Sequence, residues 1–178
     1  MDTIFSASQI VEKHREFNMP TYIAFIDYKK AFDSVERDKL WTIMSSKGIP
    51  THLITIIQTI YKENVIRINA GNGISEDYRV ITQGVRQGCP LSPVLFNLCL
   101  DGVIRKWLKK LKTSKYFKEL IFNTILFADD QFIIYDTEDN LQRAVYSLYN
   151  ISKEYNLEIA KKDEGIWFRW DRPPKNKN

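Results

Sequence analysis

An acidic pair set inside an apolar run limits most strongly what this chain can become. Residues 121–135 read IFNTILFADDQFIIY, so Asp129 and Asp130 stand between two stretches rich in Ile, Leu and Phe. Both stretches are too short for a typical helix and carry the β-branched and aromatic side chains that strands favour. They predict a hairpin of residues 121–127 and 132–135 joined by Ala128-Asp129-Asp130-Gln131. A third acid occupies a similar position, because the apolar run TYIAFID at 21–27 predicts a buried strand ending at Asp27. Carboxylates desolvate poorly, and acids at the ends of buried strands break a local rule in the way functional sites do. An Asp-Asp dipeptide alone is more often solvated turn punctuation; the flanking strands and the acidic end of a further strand weigh against that here. Three carboxylates around one point repel one another unless a cation neutralises them. Mg²⁺ suits oxygen ligands and keeps positions for water and phosphate.

The remaining patterns place this site in an α+β domain. Ile4, Phe5, Ile10 and Val11 give residues 2–17 a helical spacing that Asn18-Met19-Pro20 ends. Ser34 is expected to cap a helix reaching Ser46, with Gly48 and Pro50 as stop signals, and Thr51 to cap another reaching about Lys62. Residues 65–69 and 78–82 alternate around Gly71-Asn72-Gly73 and predict a hairpin. Ser92 followed by Pro93 reads as an N-cap with proline at the first helical position, opening a long helix over Val94–Leu111. Leu141, Val145, Leu148 and Ile151 recur at helical spacing, and 157–159 and 166–170 read as short strands. Strand, helices, hairpin, long helix, hairpin, helix and strand in that order suggest one sheet with helices on one face. No linker is visible, so one domain is expected over 1–172, with residues 173–178 as a flexible tail.

Composition narrows the partners. With 178 residues and 44% apolar content the chain can bury a single sizeable core. A formal charge of +4 permits a polyanionic partner without requiring one. Two cysteines, Cys89 and Cys99, cannot build a disulfide framework or a four-ligand zinc site, which fits a reducing compartment. No apolar run approaches the ~20 residues of a membrane span, and the opening Met-Asp-Thr-Ile lacks signal-peptide order. Neither secretion nor a membrane partner is expected. Between Arg105 and Lys118 lie seven basic residues and no acidic one, among them Arg105, Lys106, Lys109 and Lys110. Such a run serves either to contact nucleic-acid phosphates or as an ordinary solvated helix end.

Three segments together resemble the reverse transcriptase of non-LTR (LINE-type) retrotransposons. FIDYKKAFDSV at 25–35, GVRQGCPLSPVLFNL at 84–98 and LFADDQ at 126–131 match that family's motifs A, B and C in order and spacing. The likeness runs from about residue 3 to residue 170. It implies a polymerase palm, a ferredoxin-like, RRM-like antiparallel sheet with helices on one face, plus partial fingers and no thumb. It also implies RNA-directed DNA synthesis with two Mg²⁺ ions, or Mn²⁺ in their place. Asp27 and Asp129 match the principal metal ligands, and Asp130 the third carboxylate. Lys30 and Ala31 match the turn whose amides face the triphosphate. Phe32 matches the bulky residue beneath the incoming sugar, for which core packing is the plain alternative. Gln87 and Gly88 match the loop that touches nucleotide and template. Asp33 reads as a structural acid at a helix start. The implied partners are an RNA template, a DNA primer, a deoxynucleoside triphosphate, and the thumb and endonuclease regions of a longer polyprotein, in the nucleus or cytoplasm.

Departures from the family pattern bear on activity. Ser8 stands where the second fingers motif carries an arginine. Direct alignment puts Asp163 where motif D has its lysine, and Lys162 fills that position only if the loop slips by one residue. A catalytically degenerate palm that binds nucleic acid or a partner is therefore the alternative to an active domain. Another palm-type nucleotidyl transferase, such as a cyclase, is disfavoured by QGCPLSP, because a cyclase positions no template.

Overall fold

The computed structural model describes residues 3–62, 65–66, 79–80, 82–113, 124–127, 130–160 and 167–171. In chain order the elements are α1 (Thr3–Glu16), β1 (Thr21–Ile26), α2 (Ala31–Ser34), α3 (Arg37–Ser46), α4 (Thr51–Lys62) and β2 (Val65–Ile66). There follow β3 (Arg79–Val80), α5 (Ser92–Thr113), β4 (Thr124–Phe127), β5 (Asp130–Tyr135), α6 (Glu138–Glu154) and β6 (Trp167–Asp171). Two compact units result, one of residues 1–31 with 103–178 and one of residues 32–102.

The first unit holds a four-stranded antiparallel sheet in the order β4-β5-β1-β6. Numbered within this unit alone, the order is second, third, first, fourth, which is the ferredoxin-like arrangement. β1 lies in the interior between β5 and β6, and Ile23, Ala24 and Ile26 are all buried, which accounts for its nearly continuous apolar run. α6 packs on β1 and β5 and buries Leu141, Ala144, Val145, Leu148 and Ile151, the stripe that a 3.6-residue period puts on one face. The Thr137 hydroxyl caps α6 by accepting from the Asn140 N–H at 3.3 Å, and Glu138 and Asp139 complement the dipole in the first turn. Trp107, on the part of α5 that belongs to this unit, is fully buried and donates its indole N–H to the Ala144 carbonyl at 2.9 Å. Trp107→Phe removes that donor and leaves a small void, so urea denaturation should show a loss of about 2 kcal/mol.

The second unit contains α2 from Phe32 onward, α3, α4, the paired strands β2 and β3 and the start of α5, around a core that includes Val35, Leu40, Met44, Leu95 and Phe96. Segment 82–91 docks on the segment that follows the first acid. The Val85 N–H donates to the Phe32 carbonyl and the Gly84 N–H to the Val35 carbonyl, each at 2.8 Å. A Cβ at Gly84 would stand 2.9 Å from the Asp33 Cα and carbonyl oxygen, and φ there is +80°. Glycine alone permits this approach.

Local expectations change at several points. Ser34 ends a short helix instead of capping a long one, and α3 starts afresh after the N-cap Glu36. The Phe32 and Val35 carbonyls are engaged by the docked segment and so are diverted from a continuous helical ladder. Thr51 is the first residue of α4, and the carbonyl of Pro50 before it accepts from Leu53 and Ile54. Ser92 likewise lies inside α5; its hydroxyl donates to the Arg86 carbonyl at 2.5 Å, and the Leu95 N–H donates to the Leu91 carbonyl. Asp130 and Gln131 belong to β5, because Phe127 pairs with Asp130 and leaves two residues between the strands. The expected strand at 157–159 is a single bridge between Tyr28 and Ile159. Gly71-Asn72-Gly73, Lys162, Asp163 and the tail 173–178 lie outside the described residues.

Candidate active site

The carboxylate end of the first unit is built by strand register. β1 and β5 pair Ile26 with Gln131, so Asp27 and Asp130 each stand one residue away from that last pair, on neighbouring segments of the sheet. Asp129, one peptide unit before Asp130, lies outside the described residues. Asp27 is held on its other side as well, where its carbonyl accepts from the Ala160 N–H at 2.9 Å and the Lys29 N–H donates to the Glu158 carbonyl at 2.8 Å. Ile26 and Tyr28 are buried while Asp27 between them is half-buried, as pleat alternation requires. Among the described residues no cation or hydrogen-bond donor engages the Asp27 carboxylate. A half-buried carboxylate without a neutralising partner among the described residues, one residue from the strand pair that also adjoins Asp130, fits an oxygen-ligated divalent cation.

The second unit carries an open cleft of about 420 Å³ lined by Phe32, Arg86, Gln87, Gly88, Cys89, Pro90, Ser92 and Pro93. Three of the expected nucleotide-binding residues, Phe32, Gln87 and Gly88, thus share one cleft. Phe32 is half-buried and stacks on Phe96, with centroids 4.9 Å apart and planes at 21°. Packing and cleft lining are both satisfied by this one ring. Gln87 Nε2 donates to both oxygens of Asp33, at 3.1 and 3.3 Å. A carboxylate only accepts, so this bond turns the Gln87 carbonyl away from Asp33. A Cβ at Gly88 would meet nothing within 4 Å, which leaves its backbone open to approach. Cys99 is fully buried, and burial raises its thiol to about 11, so it is a packing residue and no nucleophile at neutral pH.

Lys30 is exposed in a left-handed turn conformation with φ of +46°, and Ala31 is buried at the start of α2. Arg105, Lys106, Lys109 and Lys110 all lie on the exposed side of α5, opposite the buried Ile104, Trp107 and Leu111. Lys106 forms an ion pair with Glu154 and sits 5.6 Å from the Tyr155 ring centre, so it is partly committed within its own unit. Lys112 is likewise exposed on α5, and Lys115 and Lys118 lie outside the described residues.

Sequence patterns gave no role to three residues that organise these sites. Arg37 donates to the carbonyls of Gly84 at 2.9 Å, Tyr61 at 3.0 Å and Gln83 at 3.2 Å, and its guanidinium lies 5.0 Å from the Tyr61 ring centre. Burial lowers its pKa, with Tyr61 opposing and Arg86 adding to the shift. Tyr61 closes a small ring with the loop. The Arg86 N–H donates to Tyr61 Oη at 3.4 Å, Tyr61 Oη lies 3.2 Å from Ser92 Oγ, and Ser92 donates on to the Arg86 carbonyl. Gln131, buried beside the acidic turn, joins Tyr28 and Thr124. The available signal was a lone amide inside an apolar strand.

An antiparallel sheet in ferredoxin-like order, with acids on adjacent strand ends, defines a polymerase-palm type of α+β fold. The chain matches the family described as reverse transcriptase (RNA-dependent DNA polymerase) over residues 1–163, and it belongs to that family. It is 32% identical over 138 residues to the retrovirus-related Pol polyprotein from type-1 retrotransposable element R2 of Nasonia vitripennis, covering 78% of this chain and 13% of that protein. It is 33% identical over 129 residues to the corresponding polyprotein from type-2 retrotransposable element R2DM of Drosophila melanogaster, covering 72% of this chain and 12% of that one. The chain therefore spans about an eighth of the length of these curated relatives. Among solved structures, it is similar to telomerase from Candida tropicalis in complex with a fragment of telomeric RNA. The TM-score is 0.73 at 14% identity, over 97% of this chain and 30% of that one. That likeness concerns the fold, and the expected palm architecture agrees with it.

Proposed function

We propose that this chain is the RNA-directed DNA polymerase domain of an R2-like, non-LTR retrotransposon polyprotein, adding deoxynucleotides to a primer 3′-hydroxyl on an RNA template. The observation that carries this reading is the pairing of Ile26 with Gln131 in a palm-ordered sheet, with Asp27 and Asp130 each adjacent to that pair. Asp27, Asp129 and Asp130 are the residues that would hold two Mg²⁺ ions, or Mn²⁺. When bound, such a pair supplies Lewis-acid activation of the attacking hydroxyl and neutralises charge on the departing pyrophosphate.

The chain's own residues do the rest. Asp27 is anchored by backbone bonds to the segment that follows α6, which limits the reorganisation its carboxylate must undergo. Phe32, fixed by its stack on Phe96, presents ring surface to the cleft and excludes a ribose 2′-hydroxyl. Gln87 offers an acceptor and Gly88 an approachable backbone to nucleotide and template. Lys30 and Ala31 form the turn beneath the triphosphate. Lys109 and Lys110, with Arg105 and Lys106 beside them, contact primer–template phosphates, and Lys106 is also engaged by Glu154.

Primer extension on an RNA template with deoxynucleotides and Mg²⁺ tests the reading. Template-directed incorporation supports it. Salt-sensitive RNA binding without incorporation, unaffected by Asp27→Ala, would favour the degenerate palm instead. Shortening Phe32 removes the wall under the sugar, so Phe32→Ala should raise incorporation of ribonucleotides relative to deoxynucleotides by roughly tenfold or more, read from the ratio of kcat/KM values. An unchanged ratio would leave Phe32 as a packing residue only.

A further inference from the structure

The carboxylate turn is braced from below by a hydrogen-bonded link that its own chemistry does not require. Gln131 is 1% exposed and Tyr28 3% exposed, in a sheet whose other buried residues are largely apolar. Tyr28 donates its hydroxyl to Gln131 Oε1 at 3.1 Å, and Gln131 Nε2 donates to Thr124 Oγ1 at 2.9 Å. The amide orientation is thereby set from both ends. Tyr28 directly follows Asp27, Gln131 directly follows Asp130, and Thr124 lies on β4, the strand that leads into the acidic turn. One run of side-chain hydrogen bonds therefore ties the segments that carry Asp27 and Asp130 to each other and to β4. An apolar residue would fill the volume of Gln131 without desolvating an amide, so the polar link is retained at a cost that packing does not explain.

We propose that Gln131 is a positioning residue, which through Tyr28 and Thr124 fixes the spacing of the segments that carry Asp27 and Asp130 and so sets the affinity of these acids for divalent metal. This rests on the metal-binding role given to those acids above. Partners that orient metal ligands commonly govern affinity by 10- to 100-fold. Loosening one strand end relative to the next weakens every ligand that the two strands share.

The test is Mn²⁺ binding to the full chain, followed by the paramagnetic resonance of the free ion, together with amide hydrogen exchange measured without metal. Gln131→Leu and the milder Tyr28→Phe, which removes one hydroxyl only, should each weaken Mn²⁺ binding roughly tenfold. The double variant should bind about as well as the weaker single, because both changes break one link. Exchange at the Asp27, Tyr28, Asp130 and Gln131 amides should quicken in both. Trp107→Phe, which loses stability elsewhere in the unit, should leave Mn²⁺ affinity unchanged. If Tyr28→Phe and Gln131→Leu fold and bind Mn²⁺ as the unaltered chain does, the proposal is overturned. If the unaltered chain binds no Mn²⁺ yet the two variants exchange faster at these amides, the bracing stands and the metal reading falls; unchanged exchange overturns the bracing itself.

Discussion

Asp27→Asn should lower template-directed nucleotide incorporation by roughly 10³-fold or more while leaving the fold intact. The substitution keeps shape and removes only charge, at a half-buried position next to the strand pair that adjoins Asp130. An amide oxygen is a weak ligand for a hard dication, and loss of about 4 kcal/mol of transition-state stabilisation corresponds to three decades in rate. Stability should move little, because the substitution removes no donor to Asp27 among the described residues. Single-nucleotide primer extension measures the first effect and urea denaturation the second. Incorporation within tenfold of the unaltered chain would remove Asp27 from the metal site.

Gly84→Ala is expected to cost about 3 kcal/mol or more. Two independent terms add. The backbone stands at φ of +80°, where an L-side chain costs about 1 kcal/mol, and the new Cβ would lie 2.9 Å from backbone atoms of Asp33 that cannot rotate away. Relief requires undocking the segment that carries Gln87 and Gly88, which breaks the Gly84–Val35 and Val85–Phe32 hydrogen bonds and unseats Arg37. Gly48 is the control. It has φ of +77° with nothing within 4 Å of a Cβ, so Gly48→Ala should cost only about 1 kcal/mol. Urea titration of both variants compares them directly, and equal losses would mean that the close approach at Gly84 has no energetic weight.

Much of this arrangement was legible from pattern, for a physical reason. Strand and helix periods are local, so the apolar run 21–26 and the stripe Leu141, Val145, Leu148, Ile151 announced an interior strand and its covering helix. The acids stood out because they violate burial rules within those runs. What stayed hidden depends on partners distant in sequence. Ser92 has the local look of a cap, and only Tyr61, 31 residues earlier, and the Arg86 carbonyl draw its hydroxyl inward. Ser34 fails as a cap because a segment some fifty residues later claims the carbonyls around it. Arg37 reads as an ordinary surface cation until three carbonyls converge on it. Gln131 ends the run LFADDQ, yet its partners Tyr28 and Thr124 emerge only from strand register.

The most direct test of the whole account is a crystal of this chain soaked in Mn²⁺, with the ion located by its anomalous scattering. The account predicts a peak in coordination distance of the Asp27 carboxylate and of carboxylate oxygens from the Asp129-Asp130 turn, which disappears in Asp27→Asn. An ion bound elsewhere, or a peak at the turn that persists undiminished in that variant, would contradict it.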